Sequence, residues 1–501
     1  MKAAREHLVI ERKDRSQAQV SAALANAVDR VLPRGVASKV RKILDDFAER
    51  RRDSFRVRKT SFRFHGFTSK EAKRFRTAIS RIRFSRRRLR VKVYENALLT
   101  RLRPRADGTM VGGLFDRQGV PIREAQIHRE GEGTVVGSEI LDDGTEPEVV
   151  ALAIFGGTLF SGFGHIILES ACRLWAAERY PDAPIIFQSL QASPSCEQTL
   201  LDLASLFGIA SDRIRFVTGN ILLKRVIVPE PGLTLGKEIR LDYLRFVRSR
   251  RIERDEDQPR PEQVFLSRAR LNWRQRRAVG ESLLEKAVRG AAVKVIRPET
   301  RTLAEQVAIQ DHARKIAGFI GSQFHTLFLR SNQEPVDVLY LCSARPNANF
   351  FQIDLLFPGR RVYGNVSLYE PFFEFGNRSP FYFSAGRIEE LFTEIGLEFT
   401  GLTGPDTATF AFEWSLAFFY FKVFRQGLLS GDFTKTLSAR LRVIKKNCSR
   451  KLTEDERSQV LRAYRECMRR CRVPDDPEVL AGAEQVSTLL AELGGQAEAA
   501  R

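Results

Sequence analysis

Residues 149–176 read VVALAIFGGTLFSGFGHIILESACRLWA and join an apolar run, a pair of glycines and a helical pattern. The run 149–155 is rich in Val, Ile and Phe, which is typical of a buried strand. Gly156 and Gly157 then let the chain turn, and apolar residues recur at helical spacing over 163–179. A strand that leads through glycine into a helix is the building unit of α/β proteins. The stretch therefore predicts an α/β fold.

Three polar residues interrupt the apolar pattern of this predicted helix. His165, Glu169 and Arg173 are spaced four apart, so they share one broad helix face. Burying such groups costs free energy unless they pair or meet a ligand. Two interpretations follow: an internal network in which Arg173 pairs with Glu169, or a set of side chains that line a site.

Similar strand and helix patterns repeat along the chain in two series. Nearly continuous apolar strands separated by helices indicate parallel sheets covered on both faces. The sequence thus predicts two Rossmann-like domains facing a cleft. The strand patterns are 149–155, 183–189, 213–219 and 225–230, then 264–268, 292–299, 315–322 and 336–341; the helical patterns are 163–179, 197–207, 276–289 and 301–313.

The same patterns give the expected domain boundaries. The charged, proline-bearing stretch 248–263 has no periodicity and separates the two series. The predicted parts are a basic N-terminal extension (1–92), a first Rossmann-like domain (93–250), a linker (251–262), a second Rossmann-like domain (263–400) and a helical C-terminal tail (401–501).

The positive charge of the chain is concentrated in residues 1–92. They hold 28 Lys and Arg against 9 Asp and Glu, an excess of 19 out of a formal net charge of +21. Within SKEAKRFRTAISRIRFSRRRLRVK (69–92), Ala72, Phe75, Ile79 and Ile82 follow helical spacing, which indicates a basic amphipathic helix. Such a helix suits an anionic membrane surface, nucleic acid, or a solvated surface where long side chains cover apolar patches. Because the sheet patterns begin afterwards, we expect removal of 1–92 to leave the core folded.

Length and composition indicate a globular protein with more than one core, since the chain has 501 residues and 43% of them are hydrophobic. No apolar leader segment occupies the first thirty residues, and no run reaches the roughly 20 apolar residues of a spanning helix. We expect a cytoplasmic protein with reduced thiols, peripheral at most at the inner face of the plasma membrane. The stretch 410–424 is interrupted by Glu413, Ser415 and Lys422, which fits a buried helix or an interfacial one.

A second strand also leads through glycine into a helix. Gly318, Gly321 and Ser322 precede the apolar segment QFHTLFLR. Ligands of open α/β sheets bind beyond the carboxyl ends of the strands, and helix N-termini favour anions. Glycines at both turns would let the backbone approach such a ligand, although tight packing of strand against helix explains them equally well.

Three segments carry a resemblance to a known family. FGGTLFSGFGHIILESACRLWA (155–176) has a Gly-Gly, a Gly-His and an acidic residue four after the histidine, followed by Arg-x-Trp. Residues 264–287 have Ser-Arg, an arginine pair and a Glu, and residues 295–329 have Pro-Glu, Glu-Gln and Gly-Ser-x-x-His. In this order and spacing, over about 110–345, the chain resembles glycosyltransferase family 61. It is most similar to the bacterial branch linked to capsular and other surface polysaccharide synthesis.

The resemblance implies the GT-B arrangement of two Rossmann-like domains, with the acceptor on the first and the nucleotide-sugar on the second. It also implies sugar transfer with inversion to a hydroxyl of a saccharide or lipid-linked acceptor. The nucleotide-sugar is a substrate, so no separate cofactor is expected. Many relatives have Asp where this chain has Glu169.

Inversion by a single displacement needs one general base, and the leaving diphosphate needs fixed positive charge or donors. We expect Glu169, supported by His165, to be the catalytic base. Arg268, directly after a strand, would hold the diphosphate through paired hydrogen bonds. The complete set of expected substrate-binding residues is Arg173, Arg268, Glu299, Gln306, Gly321, Ser322 and His325.

Several of these positions also fit purely structural roles. His325, beside Phe324 and Leu327, would equally serve as a core histidine. Glu299 would serve as a cap, and Gln306 as a helix-packing residue.

We expect no metal site. Asp255-Glu256-Asp257 fits an Asp-x-Asp pattern formally but lies in the charged linker, and no Cys/His ligand cluster appears. Arginines would then take the place of a divalent metal ion. Two other functions remain open: a sugar-nucleotide epimerase, which needs no acceptor, and, ranked last, a nucleic-acid binder that uses the Arg-rich N-terminus.

Overall fold

A computed structural model describes ten stretches of the chain. They are residues 8–9, 60–105, 109–129, 133–141, 144–249, 261–271, 278–289, 292–343, 345–369 and 381–401. Most of the predicted linker, the tail beyond residue 401, the apolar stretch 410–424 and the acidic triplet 255–257 lie outside these residues.

The described residues form 22 strands, eight α-helices and five 3-10 helices. The strands are β1 (Leu8–Val9), β2 (Thr60–His65), β3 (Arg83–Ser85), β4 (Val91–Pro104), β5 (Met110–Phe115), β6 (His128–Arg129), β7 (Gly133–Thr134), β8 (Val136–Ser138), β9 (Glu148–Thr158), β10 (Ile185–Gln188), β11 (Ile214–Val217), β12 (Ile221–Pro229), β13 (Leu233–Thr234), β14 (Glu238–Arg240), β15 (Gln263–Leu266), β16 (Ala278–Val279), β17 (Lys294–Ile296), β18 (Lys315–Phe319), β19 (Asp337–Cys342), β20 (Gly359–Asn365), β21 (Ser367–Tyr369) and β22 (Phe381–Phe383). The helices are α1 (Ser69–Arg81), α2 (Phe163–Leu168), α3 (Pro194–Leu206), α4 (Leu241–Ser249), α5 (Glu281–Arg289), α6 (Leu303–His312), α7 (Ala348–Asp354) and α8 (Ala385–Ile395), and the 3-10 helices are η1 (Arg123–Ala125), η2 (Ser170–Glu178), η3 (Ser211–Arg213), η4 (Pro298–Thr300) and η5 (Ser322–Leu329).

The first sheet has seven strands in the order β11-β10-β9-β12-β4-β5-β8. Strands β11, β10, β9 and β12 run parallel, whereas β4 is antiparallel to both β12 and β5. The parallel part contains the four strands predicted from the first series of patterns. Because β9 lies within this part, the turn after it emerges between neighbouring strands rather than at the edge of the sheet.

The second sheet also has seven strands, in the order β1-β2-β20-β19-β18-β15-β17. All its neighbours are parallel except β1 and β2. It contains the four strands predicted from the second series. The prediction of an α/β fold with two parallel-rich sheets is confirmed.

Residues 60–92 contribute strands and a helix to the folded core rather than forming a separate extension. Strand β2 pairs in parallel with β20 of the second sheet over six residues, and β3 pairs with β14 in a smaller sheet of the three strands β13, β14 and β3. Helix α1 buries Phe75 and Ile79 in the same core as the sheets, and Ile82 after it is buried as well. The apolar side of the amphipathic pattern thus has its partner inside the protein. Removing 1–92 would take β1 and β2 from the second sheet together with helix α1, so the expectation of an intact core does not fit the structure.

The helical pattern over 163–179 is divided into two pieces. Helix α2 ends at Leu168, and η2 continues in 3-10 geometry from Ser170, with Glu169 between them at φ −111° and ψ −50°. A hydroxyl group accounts for part of this break, because the Oγ of Ser170 accepts a hydrogen bond from the N–H of Phe160. His165 and Glu169 therefore face each other across the junction, whereas Arg173 follows a different path.

The two sheets share one large buried core. Helix α2, which follows the first sheet, packs against η5, which follows β18 of the second sheet. The ring centroids of Tyr243 and Phe328 lie 5.9 Å apart across the same boundary. Within the described residues, no helix is long and apolar enough to cross a membrane.

The burial of α1 gives a test of this architecture. Phe75 is 5% exposed, and its ring contacts those of Phe64, Phe67 and Phe351. Phe75→Ala should lower the free energy of unfolding by about 3 kcal/mol, because a buried ring is removed and a cavity remains. Exposed Arg74→Ala should change it by less than about 0.5 kcal/mol. Urea denaturation measures both values, and equal stability of the two variants would show that α1 is not part of the core.

Candidate active site

The turn after β9 positions the first group of polar side chains. The N–H of Leu159 donates to the carbonyl of Gln188 at 2.8 Å, which ties the turn to neighbouring strand β10. Helix α2 starts at Phe163, and the N–H of Glu169 donates to the carbonyl of His165 at 2.8 Å. One helical turn therefore separates the imidazole from the carboxylate.

His165, Glu169 and Arg129 form a connected network. The Nδ1 of His165 lies 2.5 Å from the Oε2 of Glu169. Arg129, at the end of β6, donates to both carboxylate oxygens, with Nε–Oε1 at 2.7 Å and Nη2–Oε2 at 2.9 Å. Arg129 also approaches His165, but the distance from its Nη2 to the His165 Nδ1 is longer, at 3.4 Å. We therefore assign the Nδ1 proton of His165 to the hydrogen bond with Glu169. The guanidinium also lies 5.4 Å from the ring centre of Phe160.

Burial separates the roles of the two candidate catalytic residues. The Glu169 side chain is only 3% exposed, whereas that of His165 is 45% exposed. Burial by itself would raise the pKa of Glu169, but the hydrogen bonds from His165 and Arg129 outweigh it and lower the pKa below its ordinary value. Glu169 is therefore an ionised carboxylate held inside the protein. The more accessible of the two groups is the imidazole, whereas the sequence led us to expect Glu169 as the base with His165 in support.

Arg173 lies behind this network and is completely buried. Its Nε donates to the carbonyl of Pro229 at 3.0 Å, and its Nη2 donates to the carbonyls of Glu124 and Gln126 at 2.8 and 3.2 Å. The predicted pairing with Glu169 is absent, because Glu169 pairs with Arg129. Arg173 fastens three backbone segments together, and this position does not fit the predicted contact with substrate.

The turn after β18 forms the second group. The guanidinium of Arg268 lies over Gly321, where a Cβ would come within 2.6 Å of Nη1. The same nitrogen contacts the carbonyl of Ile320 at 3.4 Å. A Cβ at this position would also come within 2.5 Å of the Gln323 Oε1, so a side chain at residue 321 would require Arg268 and Gln323 to shift. Ser322, the first residue of η5, is exposed beside it.

Two carboxylates surround Arg268. Glu281 is buried and accepts the backbone N–H of Arg268 at 2.6 Å. Burial lowers the pKa of the Arg268 guanidinium, and the charges of Glu281 and Glu299 act in the opposite direction. Glu299 is exposed on η4, close enough to contribute to this field, and Thr302, not Glu299, caps α6.

Gln306 packs between neighbouring elements, which was the structural alternative to its predicted contact with substrate. Its side chain is buried, and its Nε2 donates to the carbonyls of Pro298 at 2.9 Å and Arg301 at 3.1 Å. It holds η4 against α6, and through η4 it fixes the position of Glu299.

His325 joins the two groups. It is 7% exposed, and a Cβ on Gly164 would come within 1.9 Å of its Nδ1. Its ring stacks on Phe350 at 4.9 Å, and its Nε2 lies 3.0 Å from the Nδ2 of Asn349. Burial, together with the nearby charge of His165, lowers the pKa of His325 to about 3, so the ring is neutral.

The contact between His325 and Gly164 brings both turns into one site. One turn of 3-10 helix, about 6 Å along its axis, separates Ser322 from His325. The exposed His165 follows Gly164 directly, and Arg268 lies over the residue before Ser322. The structure therefore gathers His165, Glu169, Arg268, Gly321, Ser322 and His325 around one boundary between the sheets, with Glu299 near Arg268 and with Gln306 and Arg173 as supports.

Three contributors were not found from the sequence. Arg129 ends a two-residue strand without periodicity, and Asn349 begins a helix far along the chain. Glu281 had a signal, because a Glu in segment 264–287 was part of the family resemblance. Within the described ranges, no cluster of three or more His, Cys, Asp or Glu residues could hold a metal ion.

Comparison with protein families gives a match to part of the chain. The family model described as Glycosyltransferase 61 matches residues 163–336, from the start of α2 to the residue before β19. The matched segment contains His165, Glu169, Arg268 and His325, whereas Arg129 and Asn349 lie outside it. No curated protein matches the chain. The match supports this family and, with it, a glycosyltransferase.

The neutral state of His325 predicts how stability depends on pH. The pKa of about 3 in the folded protein is below the ordinary value of 6.5, so the unfolded chain binds a proton first as pH falls. The contribution of neutral His325 to the free energy of unfolding is fully present above about pH 6.5. It decreases as the pH falls from 6.5 toward the pKa of the folded protein. It should fall by about 2 kcal/mol between pH 6.5 and 5.

His325→Gln should remove this part of the slope of unfolding free energy against pH, measured by urea denaturation at each pH. His128→Gln, which changes an exposed histidine, should keep the slope of the original protein. An identical slope in all three proteins would show that His325 is protonated without cost in the folded state.

Proposed function

We propose that this protein transfers a sugar from a nucleotide-sugar to a hydroxyl of a saccharide or lipid-linked acceptor, with inversion. The observation that carries the proposal is the exposed imidazole of His165, held by buried Glu169 at 2.5 Å, at the same boundary as Arg268. The family match over 163–336 supports sugar transfer as the type of reaction.

His165 is the proposed general base. With Nδ1–H donated to Glu169, its Nε2 is left to take the proton of the acceptor hydroxyl. The acceptor oxygen attacks the anomeric carbon as the bond from that carbon to the diphosphate breaks on the opposite side, which inverts the configuration. Ionised Glu169 stabilises the imidazolium that forms, and Arg129 keeps Glu169 ionised and oriented. Arg129 is a positioning residue in this scheme.

Arg268 is the proposed partner of the leaving diphosphate. Its guanidinium can make paired, charge-assisted hydrogen bonds to phosphate oxygens. The exposed hydroxyl of Ser322 and the backbone at Gly321 would add donors, and exposed Glu299 would accept hydrogen bonds from a ribose hydroxyl or a base N–H. In this proposal the guanidinium of Arg268 neutralises the diphosphate in place of a divalent metal ion, so neither a metal nor a separate cofactor takes part.

The setting of the reaction is part of the proposal. Two parallel-rich sheets whose following turns meet at one boundary support a GT-B arrangement. The resemblance of segments 155–176 and 295–329 to the bacterial branch supports a role in surface polysaccharide synthesis on the cytoplasmic side of the membrane.

Substitutions of the pair test the assignment of the base. His165→Asn should lower kcat by a factor on the order of 100 or more, because proton removal from the acceptor is lost. Glu169→Gln should lower kcat by a comparable factor, because the imidazolium loses its charged partner. Product formation from a nucleotide-sugar and acceptor, with the donor KM measured in parallel, gives these values.

Exposed His128→Gln provides the matched control and should keep the original kcat. Near-normal turnover of a folded His165→Asn variant would contradict the role of His165. Conversion of the donor without any acceptor would instead indicate an epimerase.

Arg268→Ala tests the donor side. Loss of a charge-assisted partner should weaken binding of the free nucleoside diphosphate by about tenfold or more. Calorimetric titration with UDP, GDP and CDP in excess EDTA measures this, and Arg270→Ala, an exposed arginine two residues later, is the control. Unchanged affinity in Arg268→Ala would contradict its role. Sugar transfer that is lost in EDTA and restored by manganese would show that the diphosphate needs a divalent metal ion, and would contradict the proposal that Arg268 takes its place.

A further inference from the structure

Helix α1 and the segment after it carry a dense array of exposed cations. Lys70, Lys73, Arg74 and Arg81 are all exposed, and at 100° per residue they fall on one side of α1. From the first to the last, this stripe is about 16 Å long. Arginines at 83, 86, 88 and 90 are exposed along the chain that follows. We call these eight residues the basic face.

Within the part of the chain that the structure describes, few acidic groups neutralise the basic face. Glu71 is the sole acidic residue between 69 and 92. Its carboxylate is already engaged, since it closes the capping box at Thr68 and pairs with Arg345 at 2.9 Å. Among the described residues, none of the eight cations has an ion pair. Like charges along one side of α1, followed by exposed arginines in the next nine residues, indicate a surface that meets an anionic partner.

The apolar side of α1 is not free to enter a bilayer. Phe75 and Ile79 are buried in the protein core, on the side opposite the stripe. No Phe, Tyr or Trp of 69–92 is fully exposed, which disfavours stacking on the bases of single-stranded nucleic acid. These features fit electrostatic adsorption to a planar layer of headgroups, without insertion of side chains.

The basic face lies close to the candidate active site. The rings of Phe75 in α1 and Phe351 in α7 are 5.9 Å apart. Asn349, at the start of the same helix α7, contacts His325. One helix therefore separates the basic face from the boundary where the catalytic groups meet.

We propose that the basic face binds the anionic phospholipids of a membrane surface. Each basic residue near such a surface strengthens partition by about fivefold, so the eight together give firm adsorption at low salt. The attraction weakens at physiological salt, because the Debye length falls to about 8 Å. A surface-bound enzyme would keep its site within reach of acceptors in the membrane.

Vesicle cosedimentation of the full chain tests the proposal. The probes are vesicles of phosphatidylglycerol mixed with phosphatidylcholine, and vesicles of phosphatidylcholine alone. We expect binding to the anionic vesicles only, and weaker binding as salt is raised. The triple variant Lys73→Gln, Arg74→Gln and Arg81→Gln should lower the partition coefficient by about a hundredfold.

A matched triple variant controls for net charge. Lys224→Gln, Lys286→Gln and Lys294→Gln remove three exposed cations from other surfaces and should leave vesicle binding within about twofold of the original. A second set, Arg83→Gln, Arg86→Gln and Arg88→Gln, should weaken binding as the first does. Equal thermal midpoints establish that all variants are folded.

Two results would overturn the proposal. One is equal loss of vesicle binding in the control and in the basic-face variants, which would make adsorption a property of total charge. The other is binding to a duplex DNA probe that depends on the basic face while vesicle binding does not, which would make nucleic acid the partner.

Discussion

The contact between His325 and Gly164 is the constraint on which the candidate site depends. A Cβ at position 164 would lie 1.9 Å from the His325 ring, so the two groups fit only because one of them has no side chain. Through this contact the helix after β9 and the 3-10 helix after β18 meet at one place. The polar residues that follow each sheet are thereby held close to one another, so they form one candidate site.

Burial assigns the chemical roles at this site. A carboxylate that is 3% exposed and bound by Arg129 is ionised but cannot reach a substrate, whereas the adjacent imidazole is 45% exposed. Under the proposed function the imidazole is the base and the carboxylate orients it, because a hydrogen bond at one ring nitrogen fixes which nitrogen carries the proton. Arg129 completes it from outside the segment that matches the family model. The site therefore needs a strand that the matched segment does not contain.

Helix α1 has one side buried in the core and the other side exposed. Phe75 and Ile79 secure α1 to the core, and the cations on its other side remain exposed. Burial of the apolar side fixes the orientation of the helix, and that orientation in turn concentrates positive charge on one face near α7. A solvated helix with the same composition would spread its charge over many orientations.

The sequence by itself determined the kinds of elements and most of their places. Apolar runs at strand spacing located four parallel strands in each of the two large sheets, and the order of Gly164-His165 and Gly321-Ser322 identified the two turns, because local periodicity and turn chemistry depend on adjacent residues. Only the tertiary structure decided which groups meet. It separated Arg173 from Glu169, buried Glu169 while leaving His165 exposed, brought Arg129 into the network and placed β2 in the second sheet. These outcomes depend on burial and on contacts between distant segments, and a linear pattern carries no information about the surface that will cover a given side chain.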